Sequence, residues 1–438
     1  MTGTAEPVDR PGEPGHSGEP GDTVDSCWPG GPGDTVNQQS GERLPLRQLI
    51  PAVYGPCLLY ETGIGALLPV IPLWASRLGG STTVAALVAA VLGVGRLIGD
   101  VPAGRLAARF GDRRAMLVAA TGSIMVVLGC ALAENWWLLA LGVLLLGGFD
   151  AVFLLARQSY LAEHTPVSRR ATAMSTLGGV GRIGQLVGPF AGSAVIHLWG
   201  LRAVFVMVAV IAVAVGAVVL AVPDLGGERA AGAVEQPVSL VSLLAARPGL
   251  LRTLGLVVLV IGAVRAVRNT ALPLWGEHLG LSDARIALIF GLSGLADALL
   301  FYPGGRIMDR HGRSWVAVPS MLIMGTCLIV LPLTNAIGVF TVVALVIGLG
   351  NGLGSGIVMT LGADLAPPGQ RAQFLGWWRL LFDSGMAIGP LAISATAAIG
   401  SLSIGLTGIG VLGLAAAAGA FAWLPRWTSH ANRHRRHN

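Results

Sequence analysis

From about residue 48 the chain alternates long apolar runs with short polar breaks. About 20 consecutive apolar residues make a helix that crosses a bilayer. Runs of that kind predict twelve spans, at about 48–75, 82–107, 115–133, 136–161, 170–198, 201–222, 249–275, 282–308, 314–333, 336–362, 371–397 and 401–424. Arginine is not spread evenly over the breaks. Arg105, Arg109, Arg113 and Arg114 lie between spans two and three, and Arg306, Arg310 and Arg313 between spans eight and nine. The breaks on the other side hold only Arg77, Arg202 and Arg285. Positive loops stay in the cytoplasm, which predicts a multi-pass protein of the cell membrane with both termini inside.

The same pattern occurs twice. PLWASRLG at 72 returns as PLWGEHLG at 273, and PAGRLAARFGDR at 102 returns as PGGRIMDRHGRS at 303, both at an offset of 201 residues. GPFAG at 188 returns as GPLAI at 389 with the same offset. A constant offset with like orientation requires an even number of spans per half. The expected fold is an all-α integral membrane protein of two parallel six-helix halves, one of the standard transporter plans. The domains read as a disordered acidic tail rich in Gly and Pro over 1–46, an N-terminal half over 47–222, a polar linker over 223–247, a C-terminal half over 248–424 and a basic tail over 425–438.

Composition sharpens this picture. The chain is 53% hydrophobic and 12% charged, with a mean hydropathy of +0.70, against about 25% charged residues in soluble domains. The 63 Gly and 25 Pro suit close helix packing and helix breaks in a bilayer. A formal charge of +6 does not indicate nucleic acid, because the arginines sit between spans. The four scattered Cys make no CxxC and predict neither a metal site nor a disulfide framework. No cofactor is expected, and the His- and Arg-rich C-terminus reads as a lipid-facing basic patch.

Two motifs carry a resemblance. The repeated loop holds Gly104, Arg109, Gly111, Arg113 and Arg114 in the first copy, and Gly305, Asp309, Arg310, Gly312 and Arg313 in the second, with Ala108 where the second copy has Asp309. Span five carries Gly184, Gly188, Pro189 and Gly192. Small residues at four-residue spacing let helices approach backbone to backbone, and the Gly-Pro steps at 188 and 389 provide a bend. On these motifs the chain, from about 48 to 424, resembles the major facilitator superfamily, and within it the twelve-span drug:proton antiporters. The resemblance implies alternating access, small-molecule export driven by protons, and a monomer in lipid. It also implies an Asp in the first loop and an Arg in span four, where this chain has Ala108 and Val143.

Ionisable groups inside a membrane are costly and mark function by default. Arg96 and Asp297 are repeat equivalents, as are Arg182 and Asp383. In the resembled fold span two packs on span eleven and span five on span eight. That arrangement predicts the cross-half pairs Arg96–Asp383, Arg182–Asp297 and Asp100–Arg379, either as a lattice that breaks and reforms or as static bridges fixing assembly. Glu61 in span one, Asp150 in span four, Arg265 and Arg268 in span seven and Asn351 in span ten are expected to converge on one central cavity. Glu61 and then Asp150 are the proton-site candidates, while Tyr60, Arg265, Arg268 and Asn351 are the substrate-cavity candidates. The bland reading of Glu61 is a permanent pair with Arg265. Arg157, Trp275, Trp377 and Trp378 read as boundary anchors.

The leading functional expectation is a proton-coupled multidrug efflux antiporter. The alternative is a specialised metabolite or sugar carrier, exporter or importer, since Arg265 and Arg268 suit an anionic group. An enzyme is not expected, because no Ser/His/Asp set or metal-ligand cluster is legible, and the tails carry no recognisable scaffold module.

Overall fold

The computed structural model describes residues 53–434, apart from Pro166, 222–247, 367–370 and Gly400. The expectations for the 1–46 tail and the linker lie outside the described residues. Among the described residues every regular element is helical. The N-terminal half comprises α1 (Gly55–Arg77), α2 (Thr82–Phe110), α3 (Asp112–Ala131), α4 (Trp136–His164), α5 (Val167–Trp199) and α6 (Arg202–Ala221). The C-terminal half comprises α7 (Pro248–His278), α8 (Asp283–His311), α9 (Ser314–Leu333), α10 (Ile337–Leu365), α11 (Arg371–Ile399) and α12 (Leu402–His434). Eleven of these are long and apolar enough to cross a membrane. The other, α5, has the length at 33 residues, but Arg182 and a run of Gly and Ser dilute it. The last helix continues to His434, beyond the end expected at 424, so part of the expected basic tail is helical.

Packing repeats with the sequence. α1 lies on α5 and α6 as α7 lies on α11 and α12, and α2 lies on α4 as α8 lies on α10. α3 contacts α4 and α6 as α9 contacts α10 and α12. The halves meet through α2 with α11 and α5 with α8, the cross-half helix neighbours the resemblance implied, and also through α1 with α7. α1 and α7 are the most deeply buried of the membrane-length helices. Met125 on α3, Val210 on α6, Leu322 on α9 and Phe421 on α12 point outward and exposed. In water such a surface would aggregate, whereas in a bilayer it meets its own solvent.

Missing side chains set the helix spacing. A Cβ on Gly188 would lie 2.5 Å from Ala66 N and 2.7 Å from Gly65 C. A Cβ on Gly184 would lie 2.6 Å from Leu58 O and 2.8 Å from Glu61 Cβ. The glycines that resemble an export motif therefore seat α5 on the backbone of α1. Their repeat equivalents Gly385 and Gly389 seat α11 on α7 at Leu259 and Ala263 in the same way.

Four polar contacts close one end of the bundle across the halves. Ser76 Oγ donates to Glu277 Oε2 at 2.9 Å, and Arg77 pairs with Asp283 at 3.0 Å. Ser193 Oγ donates to Ala284 O and Ser394 Oγ to Thr83 O, both at 2.8 Å. All four sit at the end opposite the α2–α3 and α8–α9 turns. Those arginine-bearing turns pivot on Gly111 and Gly312, which have φ of +89° and +104°. A Cβ would find open space at both, so it is the backbone conformation that requires glycine. Gly312→Ala is expected to cost about 1–3 kcal/mol, the penalty of placing a side chain in a backbone region that only glycine readily adopts, read as a lowered melting temperature of the purified chain.

Candidate functional site

The ionisable groups expected in one cavity fall into two clusters. The first lies in the N-terminal half. Glu61 on α1 and Asp150 on α4 are 7% and 5% exposed. Arg157 Nη2 lies 2.5 Å from Glu61 Oε1, and Gln185 Nε2 on α5 donates to Glu61 Oε2 at 2.8 Å. Arg157 Nη1 also donates to Cys57 Sγ at 3.1 Å, one turn before Glu61. Arg96 Nε on α2 lies 2.5 Å from Asp150 Oδ2. Glu61 thus joins three helices and Asp150 joins two, with each carboxylate matched by one arginine.

Local sequence explains this cluster. Asp150 and Arg157 are two turns apart on α4 and share a face. Gly147, one turn from Asp150, packs against the α2 backbone at Arg96 N, and Gly95 packs against α4 in return. That close approach brings Arg96 to Asp150. Tyr60 stacks on Phe153 with ring centroids 4.1 Å apart and lies 3.4 Å from Ser123 Oγ. Its ring is packed inside the N-terminal half, at 5% exposed.

The second cluster lies in the C-terminal half. Asp297 on α8 accepts from Asn351 Nδ2 on α10 at 2.6 Å and from Arg268 Nη1 on α7 at 3.4 Å. Arg265, one turn before Arg268, stands over the Phe382 ring at 6.0 Å. α10 is interrupted next to it. Its first segment ends at Leu353, Gly356 is left-handed at φ +83°, and a new helix runs over Ile357–Leu365. Arg182 reaches from α5 across to the other half, hydrogen-bonding Ser355 Oγ in that break and stacking 4.1 Å over Phe301.

The expected cross-half ion pairs are not those the structure contains. Arg96 pairs with Asp150, Asp297 pairs with Arg268, Arg182 is held by Ser355, and Asp383 pairs with Arg379 on its own helix at 3.4 Å. The expected partners are nonetheless electrostatic neighbours, Arg379 of Asp100, Arg96 of Asp383 and Asp297 of Arg182, so they share neighbourhoods without direct ion-pair contact. Glu61 is not paired with Arg265, and Arg157 is not a boundary anchor, at 5% exposed. Trp275 and Trp378 are also buried, donating to Thr334 Oγ1 at 2.9 Å and Val358 O at 2.7 Å. Sequence reasoning missed Cys57, Gln185 and Ser355. The four-residue step from Cys57 to Glu61 was legible, whereas Ser355 had no signal.

The loop copies differ as their sequences do. Arg313 holds Asp364 at the end of α10 (Nε to Oδ2, 2.8 Å) and lies 3.6 Å from Asp309. Arg113 instead donates to the last carbonyls of α6, Val219 O at 3.1 Å and Leu220 O at 2.8 Å. Arg109 lies against Phe110 at 5.3 Å, and Arg310 is exposed. Among the described residues no group of three or more His, Cys, Asp or Glu could hold a metal.

Comparison with known proteins places this arrangement. A profile of the Major Facilitator Superfamily matches residues 57–264 and 254–437. The multidrug resistance protein MdtG of Salmonella arizonae is 26% identical over 166 residues, which are 37% of this chain and 41% of that protein. The MdtG of Salmonella newport matches to the same extent. The chain thus spans about two fifths of the length of the curated relatives it matches. Among solved structures, a bacterial homologue of the human lysosomal transporter Spinster, inward-facing and occupied, superposes with a TM-score of 0.73 at 15% identity, covering 86% of this chain and 97% of that one. The nucleoside transporter NupG gives 0.70 at 13% identity, over 86% and 98%. A D-xylose-proton symporter gives 0.66 at 16% identity, over 85% and 96%.

Proposed function

Because the chain belongs to the Major Facilitator Superfamily and is a multi-pass membrane transporter, we propose that it is a proton-coupled exporter of small organic compounds working by alternating access, as a monomer in the cell membrane with both termini in the cytoplasm. The observation that carries the proposal is the N-terminal cluster. Two buried carboxylates, Glu61 and Asp150, each bind an arginine on a neighbouring helix, and Glu61 sits where the α5 glycines meet α1. Adding a proton to either carboxylate removes its charge and loosens a helix-to-helix tie, and that links protonation to movement. Export rests on the Gly184–Gly192 motif and on similarity to relatives named for multidrug resistance. The tied end of the bundle at Ser76–Glu277 and Arg77–Asp283 corresponds, on this reading, to a state closed to the outside.

The test is growth protection by the full chain in an efflux-deficient bacterial host against a broad panel of antibiotics and dyes. Glu61→Gln is expected to abolish the protection seen with the intact chain at matched expression, and Glu61→Asp to restore part of it. Protection unchanged in Glu61→Gln would refute the role of Glu61, and no protection against any compound would refute drug export. A second reading, a carrier of an anionic metabolite, is favoured by one observation, the surplus of arginine in the C-terminal cluster.

A further inference from the structure

The two clusters differ in charge balance. In the N-terminal cluster Arg96 and Arg157 face Asp150 and Glu61, two against two. In the C-terminal cluster Arg182 and Arg268 are both electrostatic neighbours of Arg265, and all three share a single carboxylate neighbour, Asp297. No other acid is among the electrostatic neighbours of these three arginines in the described residues. Asp383 is taken by Arg379, and Asp100 lies with that pair at the α2–α11 contact. Leaving buried cations without counter-charge in a membrane is expensive, and so is leaving their N–H groups without acceptors.

Those N–H groups are indeed open. Nε and Nη2 of Arg265 are buried and, among the described residues, have no hydrogen-bond partner, and the same holds for Nε of Arg268, whose side chain is 9% exposed. The fold makes room for Arg265 through a missing side chain, since a Cβ on Gly354 would lie 2.9 Å from Arg265 Nη2. Gly354 begins the break in α10, and the helix that restarts at Ile357 presents its N-terminus beside Ser355, where Arg182 binds. A helix N-terminus favours negative charge and offers free N–H donors. Aromatic faces border the same guanidinium groups, Phe382 for Arg265, Phe290 for Arg268 and Phe301 for Arg182.

We infer that Arg265, with Arg268 and Arg182, forms the seat for the oxyanion of an aromatic or otherwise flat organic anion, a carboxylate or sulfonate, at the break in α10. This deepens the proposed transport function and rests on it, the bound anion being the transported compound. Arginine binds planar oxyanions through paired N–H donors, and the three phenyl rings suit the organic part. Asp297 is the internal counter-ion that holds Arg268 and Asn351 in place when the seat is empty.

The test is equilibrium binding to the purified full chain in detergent, with naphthalene-1-sulfonate as probe at fixed ionic strength. Saturable binding is expected, displaced by inorganic sulfate and not by naphthalene. Arg265→Gln is expected to weaken it about tenfold or more, the worth of a charge-assisted hydrogen bond. Arg265→Lys, which keeps the charge but loses the planar fork, is expected to fall between. Each variant is compared at matched melting temperature, and Lys serves where Gln fails to fold. No saturable binding, displacement by naphthalene but not by sulfate, or a change under about twofold in both variants would overturn the inference. Failures of the two readings separate. Sulfonate bound through Arg265 by a chain that protects against nothing counts against export alone, and protection with Arg265-independent binding counts against the anion seat alone.

Discussion

Replacing Arg157 with glutamine while Glu61 remains is expected to destabilise the chain by about 3–5 kcal/mol, the cost of stranding one member of a buried ion pair. Arg157 bridges Glu61 and Cys57 from α4, and its guanidinium lies 5.7 Å over Phe153, the ring on which Tyr60 stacks. Removing it leaves the Glu61 carboxylate with Gln185 as its remaining polar partner among the described residues. The double variant Glu61→Gln/Arg157→Gln is expected to recover most of the loss, because a pair of neutral amides carries no uncompensated charge. Thermal unfolding of the purified chain reads both. A single variant that melts with the intact chain would show that the pair does not hold α1 to α4. Arg77→Gln is the control. Its pair with Asp283 leaves Arg77 59% exposed, and such a bridge is worth about 0–1 kcal/mol.

The glycines of α5 are expected to respond unequally, although the motif treats them alike. Gly188→Ala places a carbon against the α1 backbone at Gly65 and Ala66, where no side chain can give way. The helices must part, and overpacking of this kind costs about 1–3 kcal/mol or more. Gly184→Ala adds a second penalty by pressing on Glu61 Cβ at 2.8 Å, and should disturb the polar cluster as well. Gly192→Ala meets Ala66 Cβ at 3.5 Å, ordinary contact, and is expected to be tolerated. Folded yield by size exclusion and the melting temperature distinguish the three. Equal damage at 188 and 192 would mean that the motif acts through something other than its contact with α1.

Much of the fold was legible because the hydrophobic spans and the 201-residue repeat are one-dimensional signals. The α2–α11 and α5–α8 neighbours came from the resemblance, and the packing agrees. Ion partners were harder. A sequence says which helix carries a charge, but not the helix's rotation or how closely its neighbour approaches. Arg96 was expected to cross to Asp383, yet Gly95 and Gly147 draw α2 and α4 together and Asp150 is reached first. Arg157 was placed at the membrane boundary from its position along α4. Its two-turn spacing from Asp150 could have shown that it faces inward. Ser355 could not be foreseen, since its role depends on the break in α10 that turns it toward Arg182.

Ser76 and Glu277 are the same position in the two halves, and they touch. Points related by a twofold rotation meet only on its axis, so this hydrogen bond marks where the symmetry axis leaves the bundle. Any side chain at that place faces its own mate. Two identical halves would set glutamate against glutamate there, like charges at contact distance, or serine against serine with no charge to bind. One serine and one glutamate give a donor facing an acceptor. At this position the duplicated fold gains from its copies being unequal, and restoring the symmetry in either direction would weaken the closed end.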